Sequence, residues 1–188
     1  MRRYIYFVFL LCCAVNLLLT SCVRQKYVVM DMVHHNPGEA MTESKFLDPS
    51  FLKKNEYGAK VFFLFEAAQF GIDWKSFDPS LFPDTTEAGR WVAEKAEIIH
   101  KKYDAAKKED LQVYCMLDML VLPSLLVEKH RTELTNEQGK LDISKPYTQL
   151  CIRELMKEMF ETFPQLDGLV IRTGETYLHD APYYVGNH

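Results

Sequence analysis

Glycine is scarce in this chain, eight residues in 188, and neither a G-x-G-x-x-G turn nor a P-loop occurs in it. The backbone cradle that dinucleotide- and nucleoside-triphosphate-binding domains place at their first strand-to-helix turn is therefore missing. Positive charge is also short: the formal net charge is −4, which is poor for a nucleic-acid partner, since that needs clustered Lys and Arg to displace counterions. The densest basic stretch, His100 to Lys108, carries Asp104 among its lysines and is followed by Glu109 and Asp110, as on a solvated helix face. Cysteine is too sparse for a disulfide framework. Cys12, Cys13 and Cys22 belong to the N-terminal region, leaving Cys115 and Cys151 in apolar settings that predict buried thiols. No internal repeat or low-complexity tract interrupts the chain, and its 48% hydrophobic and 13% aromatic content is that of a globular protein.

The N-terminus reads as an export signal. Arg2 and Arg3 precede an uncharged run from Tyr4 to Leu19, and that run of 16 residues falls short of the roughly 20 needed to span a bilayer. Leu19-Thr20-Ser21-Cys22 follows directly and resembles the bacterial lipobox. The resemblance implies a signal peptide over residues 1–21, cleavage before Cys22, and acylation of that cysteine by chains such as palmitate, with residues 22–26 as a short linker. An exported lipoprotein of the bacterial envelope, held on a membrane, with the outer membrane expected, is the resulting localisation. Loss of two arginines and no acids brings the mature chain to a formal charge of −6.

Residues 27–188 alternate strand-like and helix-like segments. The strand-like runs are Tyr27 to Val33, Ala59 to Glu66, a part of Leu111 to Leu122, and Leu166 to Arg172, nearly continuous in apolar residues as strands covered on both faces require. Helical spacing appears near Pro49 to Tyr57, from Thr85 to about Lys108, and from Tyr147 to Phe163, where Pro164 stops it. Such alternation predicts crossovers and a parallel sheet. Of the two architectures that use it, an open doubly wound sheet would carry the absent glycine-rich turn. The expected class is therefore α/β, a partial (β/α)8 (TIM) barrel of about four βα units, with its site at the C-terminal ends of the strands.

Acidic residues stand in or just after each strand-like run: Asp31, Glu66, Asp118 and Glu175. Converging carboxylates suit a glycosidase, which needs one acid to protonate the leaving oxygen and a second group to attack or activate water; for Asp31 and Glu66 a structural or supporting role is an equal alternative. Phe70 to Phe77 gathers aromatics, with Trp74 either a sugar platform or a core residue and Phe77 read as a core residue. Adjacent His34 and His35 on an extended segment point to opposite sides and cannot easily share an ion. Nor is His179-Asp180 a convincing metal pair. No metal and no cofactor are expected, and His34 or His35 is read as a sugar-hydroxyl contact or an exposed loop residue.

Asp167-Gly168-Leu169-Val170-Ile171-Arg172-Thr173-Gly174-Glu175-Thr176-Tyr177 resembles the fourth-strand segment of barrel glycoside hydrolases, loosely of the α-glucuronidase and β-hexosaminidase types. The resemblance implies that Glu175 is the acid/base glutamate, with Gly174 where relatives carry Asn or Asp. The residues themselves also allow Glu175 to bind sugar hydroxyls, or to be a structural carboxylate paired with Arg172. His34, His35, Trp74, Asp118, Arg172, Tyr177 and His179 are the expected substrate-binding set.

A complete barrel takes about 250 residues, so the sequence is expected to be a truncated or split enzyme with little or no glycosidase activity by itself. A non-catalytic glycan-binding surface lipoprotein is the alternative. Replacement of the expected lipid-bearing residue, Cys22→Ala, should release the protein from the membrane fraction; unchanged sedimentation with membranes would refute the anchor.

Overall fold

The computed structural model describes residues 29–31, 44–62, 66–173, 176, 178 and 181–187. In chain order the elements are β1 (Met30–Asp31), α1 (Pro49–Lys54), β2 (Ala59–Phe62), α2 (Glu87–Lys108), β3 (Gln112–Asp118), β4 (Val121–Pro123), α3 (Ser124–Lys129), α4 (Arg131–Leu134), α5 (Pro146–Thr162), β5 (Gly168–Arg172) and β6 (Tyr184–Gly186). Strands β1, β2, β3 and β5 form a parallel sheet in that spatial order, with Phe62 opposite Cys115 and Asp118 opposite Arg172. The mixed α/β class and the parallel sheet expected from the sequence are both present.

Helix α2 starts where Thr86 accepts a bond from the Gly89 amide at 3.0 Å, with Glu87 in its first turn and Lys107 and Lys108 in its last, matching the helix dipole at both ends. Val92, Ile99, Tyr103 and Ala106 fall three to seven residues apart and are buried. Helix α5 has Pro146 at its start and buries Cys151, Ile152, Leu155 and Met159.

Along β3, Val113, Cys115 and Leu117 are buried while Tyr114 and Met116 are only half-buried, the alternation of a pleated strand. The first three join one continuous core with Leu52 of α1, Tyr103 of α2, and Leu155 and Met159 of α5. Phe62 meets Tyr103 at 4.8 Å between ring centres, and Tyr103 meets Phe163 at 5.6 Å. Tyr114, Met116 and the paired Val170 take no part in that core. Helices thus cover one face of the sheet, and Cys115 and Cys151 are buried free thiols. Burial pushes both thiols up to about 11.

The third strand lies within the expected run, and a second, two-stranded sheet is added that was not expected from the sequence. The apolar run Leu111 to Leu122 breaks after Asp118, and Val121–Pro123 turns away to pair antiparallel with β6, Val121 opposite Gly186. The segment after β5 therefore contains a further strand, and its Tyr184 is buried against Phe70 at 5.0 Å. Apolar residues resume directly after Asp118, so the apolar run by itself does not mark the bend.

Gly89 faces the carbonyl of Pro83 so closely that a Cβ there would fall 2.1 Å from the oxygen. Alanine gains about 1 kcal/mol of helix propensity but meets backbone that cannot move without unwinding the Thr86 cap, a strain on the order of 1–3 kcal/mol. Gly89→Ala is expected to lower the urea midpoint, and a raised midpoint would contradict this packing.

Candidate functional site

At the C-terminal ends of β3 and β5, Asp118 and Arg172 stand opposite one another in the register, two residues beyond the Met116–Val170 pair. The guanidinium forks onto the carboxylate: Nε donates to Oδ1 and Nη2 to Oδ2, each at 2.5 Å. Asp118 is buried and Arg172 half-buried, so this is a charge-assisted, bidentate contact largely removed from water. It forms the polar floor of a cleft of about 420 Å³, within the range that small-molecule sites occupy. Met119, Leu120, Ile143 and Ile171 supply its aliphatic sides; Thr173, Thr176 and Asn187 supply further polar groups. Ile143 and Ile171 are 49% and 46% exposed, so the cleft keeps aliphatic surface open to solvent.

The structure brings Asp118 and Arg172, both of the expected substrate-binding set, to adjacent strand ends. The fork also shows that Arg172 is engaged by Asp118, a pairing the sequence reading did not foresee. Trp74 is corrected: it is fully buried, held at φ 57° in a loop whose Phe77 packs on it at 6.0 Å, and presents no face to a ligand. Glu66, the last residue of the second strand-like run, pairs with Lys102 of α2, and its carbonyl accepts from the Tyr103 hydroxyl at 2.9 Å, so it braces the helix layer. Cys22, His34, His35, Glu175, Tyr177 and His179 lie outside the described residues, as does the side chain of Asp31. Ile143, Thr173, Thr176 and Asn187 were missed. Thr173 and Thr176 flank the Gly174-Glu175 pair and could have been found from it, whereas Ile143 and Asn187 carry no local signal.

The loop that holds Trp74 is pinned from α5. Buried Glu158 accepts a bond from Ser76, and burial holds its carboxyl above the ordinary value despite that bond. Among the described residues no group of three or more His, Cys, Asp or Glu is placed to hold a metal ion, and no helix is long and apolar enough to cross a membrane.

No protein-family model matches the chain, and no curated protein matches it. Among solved structures it is similar to a noncanonic maltogenic α-amylase, AmyB from Thermotoga neapolitana. The two are 15% identical with a TM-score of 0.45, over 81% of this chain and 40% of the amylase. The chain spans two fifths of that protein's length, and a likeness of this size carries no inference about the site.

Removing one partner of a buried ion pair leaves the other charge uncompensated, at a cost of about 3 kcal/mol. Arg172→Ala should lose stability of that order in urea denaturation, Arg172→Lys should recover less than half because a lysine cannot fork, and Asp118→Ala with Arg172→Ala should cost less than the two singles added. A single Arg172→Ala within 0.5 kcal/mol of the parent, the usual size of a surface change, would contradict the pairing.

Proposed function

We propose that this protein is a lipid-anchored, glycoside hydrolase-like protein of the bacterial envelope, whose cleft at the ends of β3 and β5 takes a sugar unit of a glycan. The observation that carries the reading is the Asp118–Arg172 fork, set across the C-terminal ends of neighbouring parallel strands at the floor of a cleft with aliphatic sides. Parallel barrels keep their chemistry at that end of the strands. Helices on one face of the sheet, with Tyr114, Met116 and Val170 on the other outside the core, support a (β/α) barrel wall over an open doubly wound sheet, which has helices on both faces. A pyranose has C–H faces that pack on aliphatic side chains such as Ile143 and Ile171, and hydroxyls that suit a paired carboxylate and guanidinium.

In this reading Glu175, three residues past Arg172, acts on the glycosidic oxygen as acid/base. His34, His35, Tyr177 and His179 contact hydroxyls, and acylated Cys22 holds the exported protein on the membrane. A second reading, glycan binding without hydrolysis, is favoured by one observation: both oxygens of Asp118 already accept bonds from Arg172, which suits holding a ligand more than attacking one. Hydrolysis needs two working carboxyl groups, about 5 Å apart for retention.

Affinity electrophoresis through gels containing xylan, laminarin or starch tests the site, with Ile171→Arg as the variant because this exposed position tolerates charge without disturbing the core. Retardation of the parent and its loss in Ile171→Arg is the expected result. Turnover of aryl glycosides that disappears in Glu175→Gln would select the hydrolase, and retardation without turnover the binding protein. A folded parent that is neither retarded nor active on any of these glycans overturns the proposal.

A further inference from the structure

Behind the outer wall of the cleft, the chain from Leu134 to Ile143 folds back on itself. Asn136 caps the turn, its Oδ1 accepting from the amides of Gln138 and Lys140 at 3.0 Å each, and Gly139 takes the left-handed conformation at φ 75°. Thr135 and Leu141 face each other as an antiparallel bridge. The main-chain bonds of that bridge run between the flanking residues, Asn136 N to Lys140 O at 2.8 Å and Asp142 N to Leu134 O at 2.9 Å. Thr135 and Leu141 are therefore a non-hydrogen-bonded pair, and the N–H and C=O of Leu141 point away from Thr135.

Leu141 is only 6% exposed, and buried main-chain groups need partners. Both are supplied by one side chain. Asn187 Oδ1 accepts from the Leu141 amide at 2.8 Å, and Asn187 Nδ2 donates to the Leu141 carbonyl at 2.7 Å. The carboxamide takes the place of a third strand. Asn187 directly follows β6, which is tied through β4 to the end of β3, and it lines the same cleft as Ile143, two residues beyond Leu141.

We infer that Asn187 is a positioning residue for the cleft: by binding both peptide groups of Leu141 it fixes the 134–143 hairpin to the β4–β6 ladder and sets where the Ile143 wall stands relative to the Asp118–Arg172 floor. The inference rests on the proposal that this cleft is the ligand site for its functional meaning, but the clamp itself is measurable with no ligand present. Asparagine is specific here. Aspartate keeps the acceptor but sets a carboxylate oxygen against the Leu141 carbonyl, and alanine provides neither bond.

Spin labels on Ile143→Cys and Ile171→Cys, in the full chain with Cys12, Cys13 and Cys22 changed to serine, report the width of the cleft by pulsed dipolar spectroscopy; Cys115 and Cys151 are buried and take no label. The parent should give one narrow distance and Asn187→Ala a broadened or displaced one, with Asn187→Asp between them. Hydrogen exchange at Leu141 should accelerate at least tenfold in Asn187→Ala while helix α2 keeps its parent rate. An unchanged distance distribution, or acceleration spread equally over α2, would overturn the inference, the latter because it marks a general loss of stability. If Asn187→Ala fails to fold, Asn187→Asp supplies the same two readouts. Absence of glycan binding with the clamp effect intact would sink the functional proposal alone.

Discussion

Strand β3 is the element on which the other parts depend, because a parallel strand cannot be paired by a tight turn. Each neighbour has to be brought alongside by a connection long enough to cross the sheet, and here helices lie in both connections to β3. Strand β2 pairs with it on one side and β5 on the other. Its side chains serve both faces: Val113, Cys115 and Leu117 enter the helix-covered core, while Tyr114 and Met116 stand on the opposite face and lead in register to Asp118 at the cleft. A one-residue slip of β5 would break the Asp118–Arg172 fork and the fit of Tyr114 over Gly168, where a Cβ would come within 2.8 Å of the ring. Floor and register thus specify one another.

The segment after β2 shows how much structure is spent on keeping aromatic side chains away from solvent. Trp74 sits in a left-handed backbone conformation that a bulky residue adopts only when its surroundings compel it. The compulsion comes from several directions: Ser76 bonds to Glu158, Lys75 bridges Asp73 and Asp84, and Asp78 takes Lys129 and Ser80. The Lys129 and Ser80 contacts hold the Asp78 carboxyl down at about 2. Its depressed value means that this contribution is complete above the ordinary aspartate range and is lost only as pH falls toward 2. Exposed pairs of this kind contribute on the order of 1 kcal/mol or less each, so their effect is to choose the loop conformation, with burial of Trp74 and Phe82 supplying most of the free energy.

What could be read from sequence follows the range of the interaction concerned. Helices α2 and α5 were legible with ends near the observed ones because caps, prolines and apolar spacing are local signals. The four parallel strands were legible as apolar runs, and Asp118 and Arg172 as polar residues at two of their ends. The burial of Trp74 was undecidable, since an aromatic residue beside charged ones reads alike as platform or core, and only packing from α5 decides it. Strand β6 was hidden for a related reason: Tyr184-Val185-Gly186 is too short to show a period, and its partner β4 lies more than 60 residues earlier. Asn187 was invisible because its role is set by a peptide group 46 residues away.

These differences in range also divide the cleft. Its floor is made by strand ends whose positions are fixed by the sheet ladder and by a two-bond ion pair, so it cannot shift without breaking main-chain pairing. The outer wall belongs to a hairpin tied at Leu141 by a single side chain. A ligand would meet a rigid polar edge on one side and an apolar wall of lower local stability on the other. In such a site orientation is governed by the floor, since its hydrogen-bond directions are fixed before the ligand arrives. The size of what is admitted is governed by the wall, because moving Ile143 strains the Asn187 and Gln149 side-chain bonds and the seat of Leu141 but breaks no pairing of the parallel sheet.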